Sequence, residues 1–177
     1  MRSEASCELK VKEKYEYYDI EGVTVGDLQK AINHNGTKWG DGITYAAVTT
    51  WNIHYDYDVT DDDGRCSVKA VRTSVEIVYH LPRWLSPDSA GTLLSSWNDY
   101  MAHLKKHEFG HKEIAVKSAG EINEVLASLQ NFKNESDLDK EAKRRTNEKL
   151  RELKDLQVAY DAKTRHGATQ GAVLASQ

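Results

Sequence analysis

The sequence predicts an α+β domain, because its two halves carry different patterns of apolar residues. Residues 1–85 contain segments in which apolar and polar side chains alternate, which is typical of half-exposed strands. Residues 86–177 instead carry apolar residues three and four positions apart, as on one face of a helix. The two prolines, Pro82 and Pro87, lie at the boundary between the halves. A chain of 177 residues is long enough for one domain with a core, and we expect a single domain over 1–177.

The first half predicts three strands and one short helix. A strand is expected over residues 9–18, where Tyr alternates with Lys and Glu, and a helix over 25–33, before an Asn- and Gly-containing stop. Residues 46–59 and 66–79 alternate in polarity on either side of the turn signal at 61–64, so they predict a long hairpin. We expect these strands to form an antiparallel sheet.

The second half predicts two long helices. The first is expected over residues 89–130, as one helix or two abutting ones, with an apolar stripe along its length. Residues 131–137 interrupt the pattern, and 138–160 predict a second, highly charged helix with one narrow apolar face. Residues 163–177 predict an irregular tail. The expected fold is therefore an N-terminal antiparallel sheet packed on a long helix, followed by a second long helix and the tail.

The first long helix carries the sequence His107-Glu108-Phe109-Gly110-His111 near its middle. Residues four apart share one face of a helix, so the imidazoles of His107 and His111 can hold one zinc ion together. Glu108 lies beside them, where it can accept a proton from a zinc-bound water. Both histidines fall on the apolar stripe, and buried polar groups need partners. This placement favours a zinc site over a chance match on a solvated face.

A catalytic zinc site usually has three protein ligands and a water, so a third ligand is expected. Ile114 and Lys117 occupy the positions that Gly and His hold in the extended metzincin motif, which excludes that class. Glu121 lies ten residues beyond His111, or ~15 Å along a helix at ~1.5 Å per residue. Glu121 therefore cannot bind the same ion unless the helix breaks.

Three further residues are candidates for the third ligand: Glu135, Glu141 and His166. We favour His166, because the tail around it combines an aromatic residue, a carboxylate and two glycines that permit close backbone approach. In the same segment, Tyr160 could donate a hydrogen bond to a developing oxyanion, or it could end its helix as a core aromatic. Asp161 could orient a ligating histidine, or it could be a turn residue.

Composition excludes several classes of partner. The net charge is -4 and no long basic run is present, which argues against binding to nucleic acid or to a membrane surface. No apolar run approaches the ~20 residues of a membrane span. The first residues have no signal-peptide core, so we expect a cytoplasmic protein or an exported one whose signal is absent. Cys7 and Cys66 predict one disulfide or two unrelated thiols, and we favour the disulfide because each opens a predicted strand.

Residues spread over most of the chain form a combined pattern. They are Tyr18 with Gly22, Thr50-Trp51-Asn52-Ile53, Cys66, Leu81-Pro82-Arg83-Trp84, Trp97 with Tyr100, His107-Glu108-Phe109-Gly110-His111, Tyr160-Asp161 with Thr164, His166-Gly167 and Gln170-Gly171. In these residues the chain resembles a family of bacterial secreted zinc-dependent proteases that was formerly catalogued as a domain of unknown function. The resemblance implies that the tail belongs to the site, with His166 as a ligand. It also implies a periplasmic or secreted setting, which fits a Cys7–Cys66 disulfide.

The predicted function is that of a zinc metallopeptidase with a zincin-like fold and a peptide or protein as substrate. Zn²⁺ bound by His107, His111 and His166 would activate a water, and Glu108 would act as the general base. Tyr160 would help zinc to stabilise the oxyanion. One alternative is a non-catalytic zinc-containing interaction module of the cell envelope, with its fourth ligand position closed by a protein group. Another is a chance motif in a helical interaction protein that binds no zinc.

Overall fold

The computed structural model describes residues 5–85 and 91–175, and over these ranges the chain has the predicted α+β character. An N-terminal sheet is followed by two long helices, as expected from the sequence. The elements in chain order are β1 (Ser6–Ile20), α1 (Val25–Asn35), β2 (Thr37–Lys38), β3 (Thr44–Tyr45), β4 (Val48–Asp62), β5 (Arg65–Trp84), α2 (Gly91–Ala127), α3 (Glu135–Thr164) and a 3-10 helix (Ala168–Gln170). No helix in the described ranges has an apolar stretch long enough to cross a bilayer.

The three long strands form one sheet in the order β1-β5-β4, and this sheet is mixed rather than antiparallel as predicted. A two-residue turn at 63–64, with positive φ at both residues, joins β4 to β5 as a hairpin. β1 runs parallel to β5, because the ion pairs Glu16–His80 and Asp19–Arg83 advance in the same direction along both strands. The prediction was wrong because β1 lies beside β5, the strand that follows the reversal, and not beside β4.

Two element boundaries differ from the predicted ones for identifiable reasons. α3 begins at Glu135, three residues early, because the side chain of Asn134 accepts a hydrogen bond from the Asp137 amide at 2.9 Å and caps the helix. β5 continues through Pro82 to Trp84, whose indole donates to the Gly22 carbonyl at 3.1 Å. The predicted helix start at Ser89 and the boundary residue Pro87 lie outside the described residues.

The chain forms two compact units. The first consists of the described residues of Met1–Lys12, Trp51–Glu76 and Glu113–Val158, and the second of those of Glu13–Thr50, Ile77–Lys112 and Ala159–Gln177. The first unit buries a cluster that comprises Cys66, Val68, Val71, Ile122, Leu126, Leu129, Leu138 and Ala142. The His-Glu-x-x-His sequence at 107–111 and the tail belong to the second unit.

Within the second unit, the motif segment of α2 is anchored to the strands through Glu13. Lys112 donates to this carboxylate at 2.6 Å and the Tyr79 hydroxyl donates at 2.8 Å. The hydrogen bond from Lys112 lowers the pKa of Glu13, so the carboxylate remains ionised. The ring of Phe109 packs edge-on against Tyr79, with centroids 5.2 Å apart. One turn of the helix is therefore held on both sides of Gly110.

The predicted disulfide between Cys7 and Cys66 is absent from the structure. Both residues are free thiols, the first exposed and the second buried. Lys12 lies beside Glu76 across the parallel strands β1 and β5. In this register Cys7 lies level with Val71, five residues along β5 from Cys66, or ~17 Å away at ~3.3 Å per residue. Disulfide bonding requires Cα atoms within about 7 Å, so the register excludes the pairing.

Two leucines on α3 provide a matched test of packing. Leu153 is fully buried and Leu156 is 51% exposed. We expect Leu153→Ala to lower the free energy of unfolding by about 2–5 kcal/mol, because it leaves a cavity, and Leu156→Ala to change it by less than about 0.5 kcal/mol. Urea unfolding followed by circular dichroism measures both values. Equal losses from the two substitutions would contradict the packing of α3.

Candidate metal centre

α2 and the last turns of α3 bring His107, His111 and Asp161 together in the second unit. The Nε2 atoms of the two histidines are 3.2 Å apart. Oδ1 of Asp161 lies 3.2 Å from Nε2 of His107 and 3.0 Å from Nε2 of His111. Within the described residues, no other group of three His, Cys, Asp or Glu side chains converges closely enough to hold a metal ion. A tetrahedral zinc with ligands at ~2.0–2.1 Å separates them by ~3.3 Å, so the triangle has the size of a zinc site.

The ring of His107 is oriented by groups from the end of α3 and from the 3-10 helix. Its Nδ1 lies 3.0 Å from Oε1 of Gln170 and 3.4 Å from the Thr164 hydroxyl. An amide oxygen only accepts hydrogen bonds, so Nδ1 carries the proton and Nε2 presents its lone pair to Asp161 and His111. Tyr160 stacks on the other side of the ring, 5.0 Å away and at 9° to it. His107 is therefore held in the tautomer that binds metals through Nε2.

The charge distribution of the triangle suits a cation. Burial opposes ionisation of Asp161, but the neighbouring imidazole groups of His107 and His111 outweigh this effect and hold the pKa of Asp161 below its usual range. Two imidazole nitrogens and a carboxylate oxygen within 3.2 Å repel one another unless a proton or a metal ion lies between them. The Asp161 side chain is 30% exposed, so the triangle is accessible from solvent on that side.

Glu108 lies beside the triangle and is held by a residue of β4. The Thr49 hydroxyl lies 2.5 Å from Oε2 of Glu108 and 3.3 Å from its backbone oxygen. Glu108 is only 2% exposed, and this burial raises the pKa of its carboxyl. The Thr49 hydrogen bond and the nearby histidines oppose the rise, whereas Asp161 adds to it. The carboxyl is thus fixed in position and more basic than an exposed glutamate.

His166, the predicted third ligand, lies outside the triangle. Its Nδ1 is 3.4 Å from Oδ1 of Asp161, its side chain is 54% exposed, and its ring packs on Tyr45 with centroids 5.0 Å apart. The sequence pattern predicts that the second helix ends at residue 160, and it leaves Asp161 either as a residue that orients a ligating histidine or as a turn residue. In the structure α3 continues to Thr164, so Asp161 remains on its inward face. Arg165 and His166 then adopt left-handed φ values of 50° and 51°, and the chain leaves the helix axis.

The hydroxyl of Tyr160, predicted as a donor to an oxyanion, is hydrogen-bonded within the protein in this structure. It donates to the backbone carbonyl of His107 at 3.1 Å and accepts from Nε2 of Gln170 at 3.1 Å. The same hydroxyl also lies 3.4 Å from Oε1 of Gln170, a second acceptor for the phenolic proton. A methyl group at Gly110 would overlap the Tyr160 hydroxyl, so glycine is required there for the close approach of α3.

A family model described as a bacterial protein of unknown function (DUF922) matches residues 15–167, which is most of the chain. The chain belongs to this family. The matched residues include the His-Glu-x-x-His sequence at 107–111 and Asp161, and they end just before the 3-10 helix that carries Gln170. Searches of curated proteins and of solved structures find no match to the chain.

Two other carboxylates that the sequence analysis considered as metal ligands, Glu121 and Glu141, form ion pairs in this DUF922 chain. Glu121 pairs with Lys149 at 3.2 Å, and Glu141 pairs with Arg144 and Arg145. The hydrogen bond from Arg144 is the largest cause that lowers the pKa of Glu141, to about 2. These carboxylates are therefore engaged in ion pairs with neighbouring helical residues.

Sequence reasoning missed Thr49, and it assigned no individual role to Gly110, Thr164 or Gln170, although these three belong to the pattern that carries the resemblance. Gly110 also carries a local signal, because glycine inside a helix costs about 1 kcal/mol relative to alanine and marks a position where the backbone is closely approached. Thr49, Thr164 and Gln170 are distant from the motif in sequence, and only the tertiary fold brings them to Glu108 and to Nδ1 of His107.

A pair of helical glycines tests the close contact in the DUF922 chain. We expect Gly110→Ala to destabilise the protein by about 1–3 kcal/mol, because the added methyl group displaces Tyr160. Gly120 lies in α2 as well, and no atom lies within 4 Å of a Cβ placed there. Gly120→Ala is therefore expected to stabilise the protein by about 0.5–1 kcal/mol. Thermal or urea unfolding distinguishes the two, and stabilisation by both variants would contradict the contact.

Proposed function

We propose that this DUF922 chain is a zinc-dependent metallopeptidase in which His107, His111 and Asp161 bind the metal. The observation that supports this proposal most strongly is the convergence of three ligand atoms at 3.0–3.2 Å from one another. Two imidazole nitrogens and one carboxylate oxygen form a donor set that is typical of catalytic zinc, and three protein ligands leave a fourth position for water. The His-Glu-x-x-His spacing on α2 is that of metallopeptidases, which favours peptide hydrolysis over other zinc-assisted reactions. The zincin-like fold predicted from the sequence is part of this proposal.

Bound zinc would polarise a water ligand and the carbonyl group of the substrate. Glu108 would act as the general base beside the metal position, taking up a proton and returning it to the amine that leaves when the peptide bond is cleaved. The Thr49 hydroxyl donates to Oε2 of Glu108 and so fixes the orientation of the carboxylate. Because burial raises the pKa of Glu108, the carboxylate is a stronger base than it would be in water.

The surrounding residues keep the ligands in position. Gln170 and Thr164 hold the Nδ1 side of His107, which directs Nε2 at the metal position. Tyr160 packs between the two histidines and bonds to the carbonyl of His107, so α2 and α3 cannot separate without loss of this contact. These residues act through the ligands and are positioning residues.

Metal content distinguishes Asp161 from His166 as the third ligand. We expect the wild-type chain to bind one zinc ion, and Asp161→Ala to weaken this binding by more than about 100-fold, because it removes an ionised ligand. His166→Ala, the matched control from the adjacent turn, is expected to retain zinc within a few-fold. Competition against a chromophoric chelator measures both affinities. A wild-type chain without zinc affinity, or a His166→Ala variant as weak as Asp161→Ala, would contradict this ligand set.

Hydrolysis tests the role of Glu108 separately from metal binding. Glu108→Gln preserves the shape of the side chain but removes the basic oxygen, so zinc should remain bound while the rate falls by about 10²–10⁴-fold. Glu113→Gln, an exposed position on the same helix, is the control and should retain full activity. Cleavage of a quenched fluorescent peptide library by the zinc-loaded protein provides the measurement. Stoichiometric zinc in a wild-type chain that cleaves no peptide would instead favour the non-catalytic module.

A further inference from the structure

We propose that residues 37–45 form the substrate-binding lip of this centre, and that Trp39 and Ile43 contact a bulky apolar side chain of the peptide next to the cleaved bond. The inference rests on the proposed peptidase function and specifies the class of substrate. Its structural basis is a short, cross-braced hairpin that carries two exposed apolar side chains and begins beside the metal-binding triangle.

The hairpin lies next to the triangle through a chain of two contacts. β2 pairs antiparallel with β3, so that Thr37 lies opposite Tyr45. The Tyr45 ring packs on His166 with centroids 5.0 Å apart, and Nδ1 of His166 is 3.4 Å from Oδ1 of Asp161. A single side chain, that of His166, therefore separates the base of the hairpin from a proposed zinc ligand, Asp161, which is itself 30% exposed.

The loop of the hairpin is rigid enough to present a defined surface. Asp41 accepts from the Tyr45 hydroxyl at 2.7 Å through one oxygen and from the Ile43 amide at 2.9 Å through the other. The Trp39 amide donates to the Ile43 carbonyl at 3.0 Å, and Gly42, with φ of 79°, donates back to the Trp39 carbonyl at 3.0 Å. Trp39 and Ile43 are thus held opposite each other across the loop.

The chemistry of this surface selects an apolar group. Trp39 is 51% exposed and Ile43 is 54% exposed, whereas Trp84 and Trp97 are both buried. A rigid tryptophan offers a large contact area with little loss of side-chain entropy on binding, so exposed aromatics of this kind are typical of binding surfaces.

Two hydroxamate probes test the inference, because the hydroxamate group binds zinc whatever side chain it carries. Leucine hydroxamate and glycine hydroxamate differ only in an isobutyl group, and their dissociation constants for the zinc-loaded full chain are measured by calorimetry. We expect the wild type to bind the leucine probe at least ~10-fold more tightly, as one buried apolar group allows. Trp39→Ala and Ile43→Ala should reduce this preference to less than ~3-fold and leave zinc content and glycine-probe binding unchanged.

Two further variants provide the controls. Trp39→Phe retains an aromatic face and should keep most of the preference. Val23→Ala removes an apolar side chain that is 74% exposed in the same unit but outside the hairpin, and it should leave the preference intact. Equal binding of both probes to the zinc-loaded wild type, or an undiminished preference in Trp39→Ala, would overturn the hairpin as the lip. Absence of zinc, or of binding by either probe, would instead overturn the metal centre and this inference with it.

Discussion

The contact between Tyr160 and Gly110 is the constraint on which the rest of the site depends. Glycine in the middle of α2 leaves room for the phenol to reach the backbone of the motif. Tyr160 then stacks on His107, bonds to its carbonyl and anchors Gln170, which bonds to Nδ1 of the same histidine. Because Asp161 follows Tyr160 directly, the approach that seats the phenol also delivers the carboxylate to the two Nε2 atoms. Glycine at position 110 of α2 therefore allows Asp161 to join His107 and His111 in the triangle.

The polar groups of the site are buried only because they satisfy one another. His107 and Glu108 are nearly inaccessible, and each has hydrogen-bond partners. Among the described residues, no buried side-chain nitrogen or oxygen lacks a partner. An unsatisfied buried polar group costs about 1–3 kcal/mol, so a network of this kind is stable only when its members are all present. Thr49 and Gln170 consequently support the proposed chemistry as well as the fold, because each fixes the functional atom of a neighbour.

The parts of the fold that local sequence specifies were predicted well. The β4–β5 hairpin follows from alternation on both sides of an Asp-Gly turn, and α2 follows from a long apolar stripe. The position of β1 was not predictable in this way, because strand pairing is a long-range choice that leaves no trace in the alternation of β1 itself. The prediction of a Cys7–Cys66 disulfide was wrong for the same reason, since the distance between the two cysteines is set by the register of β1 on β5.

The sequence by itself determined that His107, Glu108 and His111 share one region of a helix, because helical geometry depends only on spacing along the chain. It also indicated that the segment after residue 160 belongs with them. Only the tertiary structure decided that Asp161, rather than His166, completes the triangle. That choice depends on how far α3 continues and where its left-handed exit falls. Asp161 lies in the triangle because α3 continues past it and keeps it on the inward face of the helix. His166, five residues later, lies outside the triangle because the chain has left the helix by then.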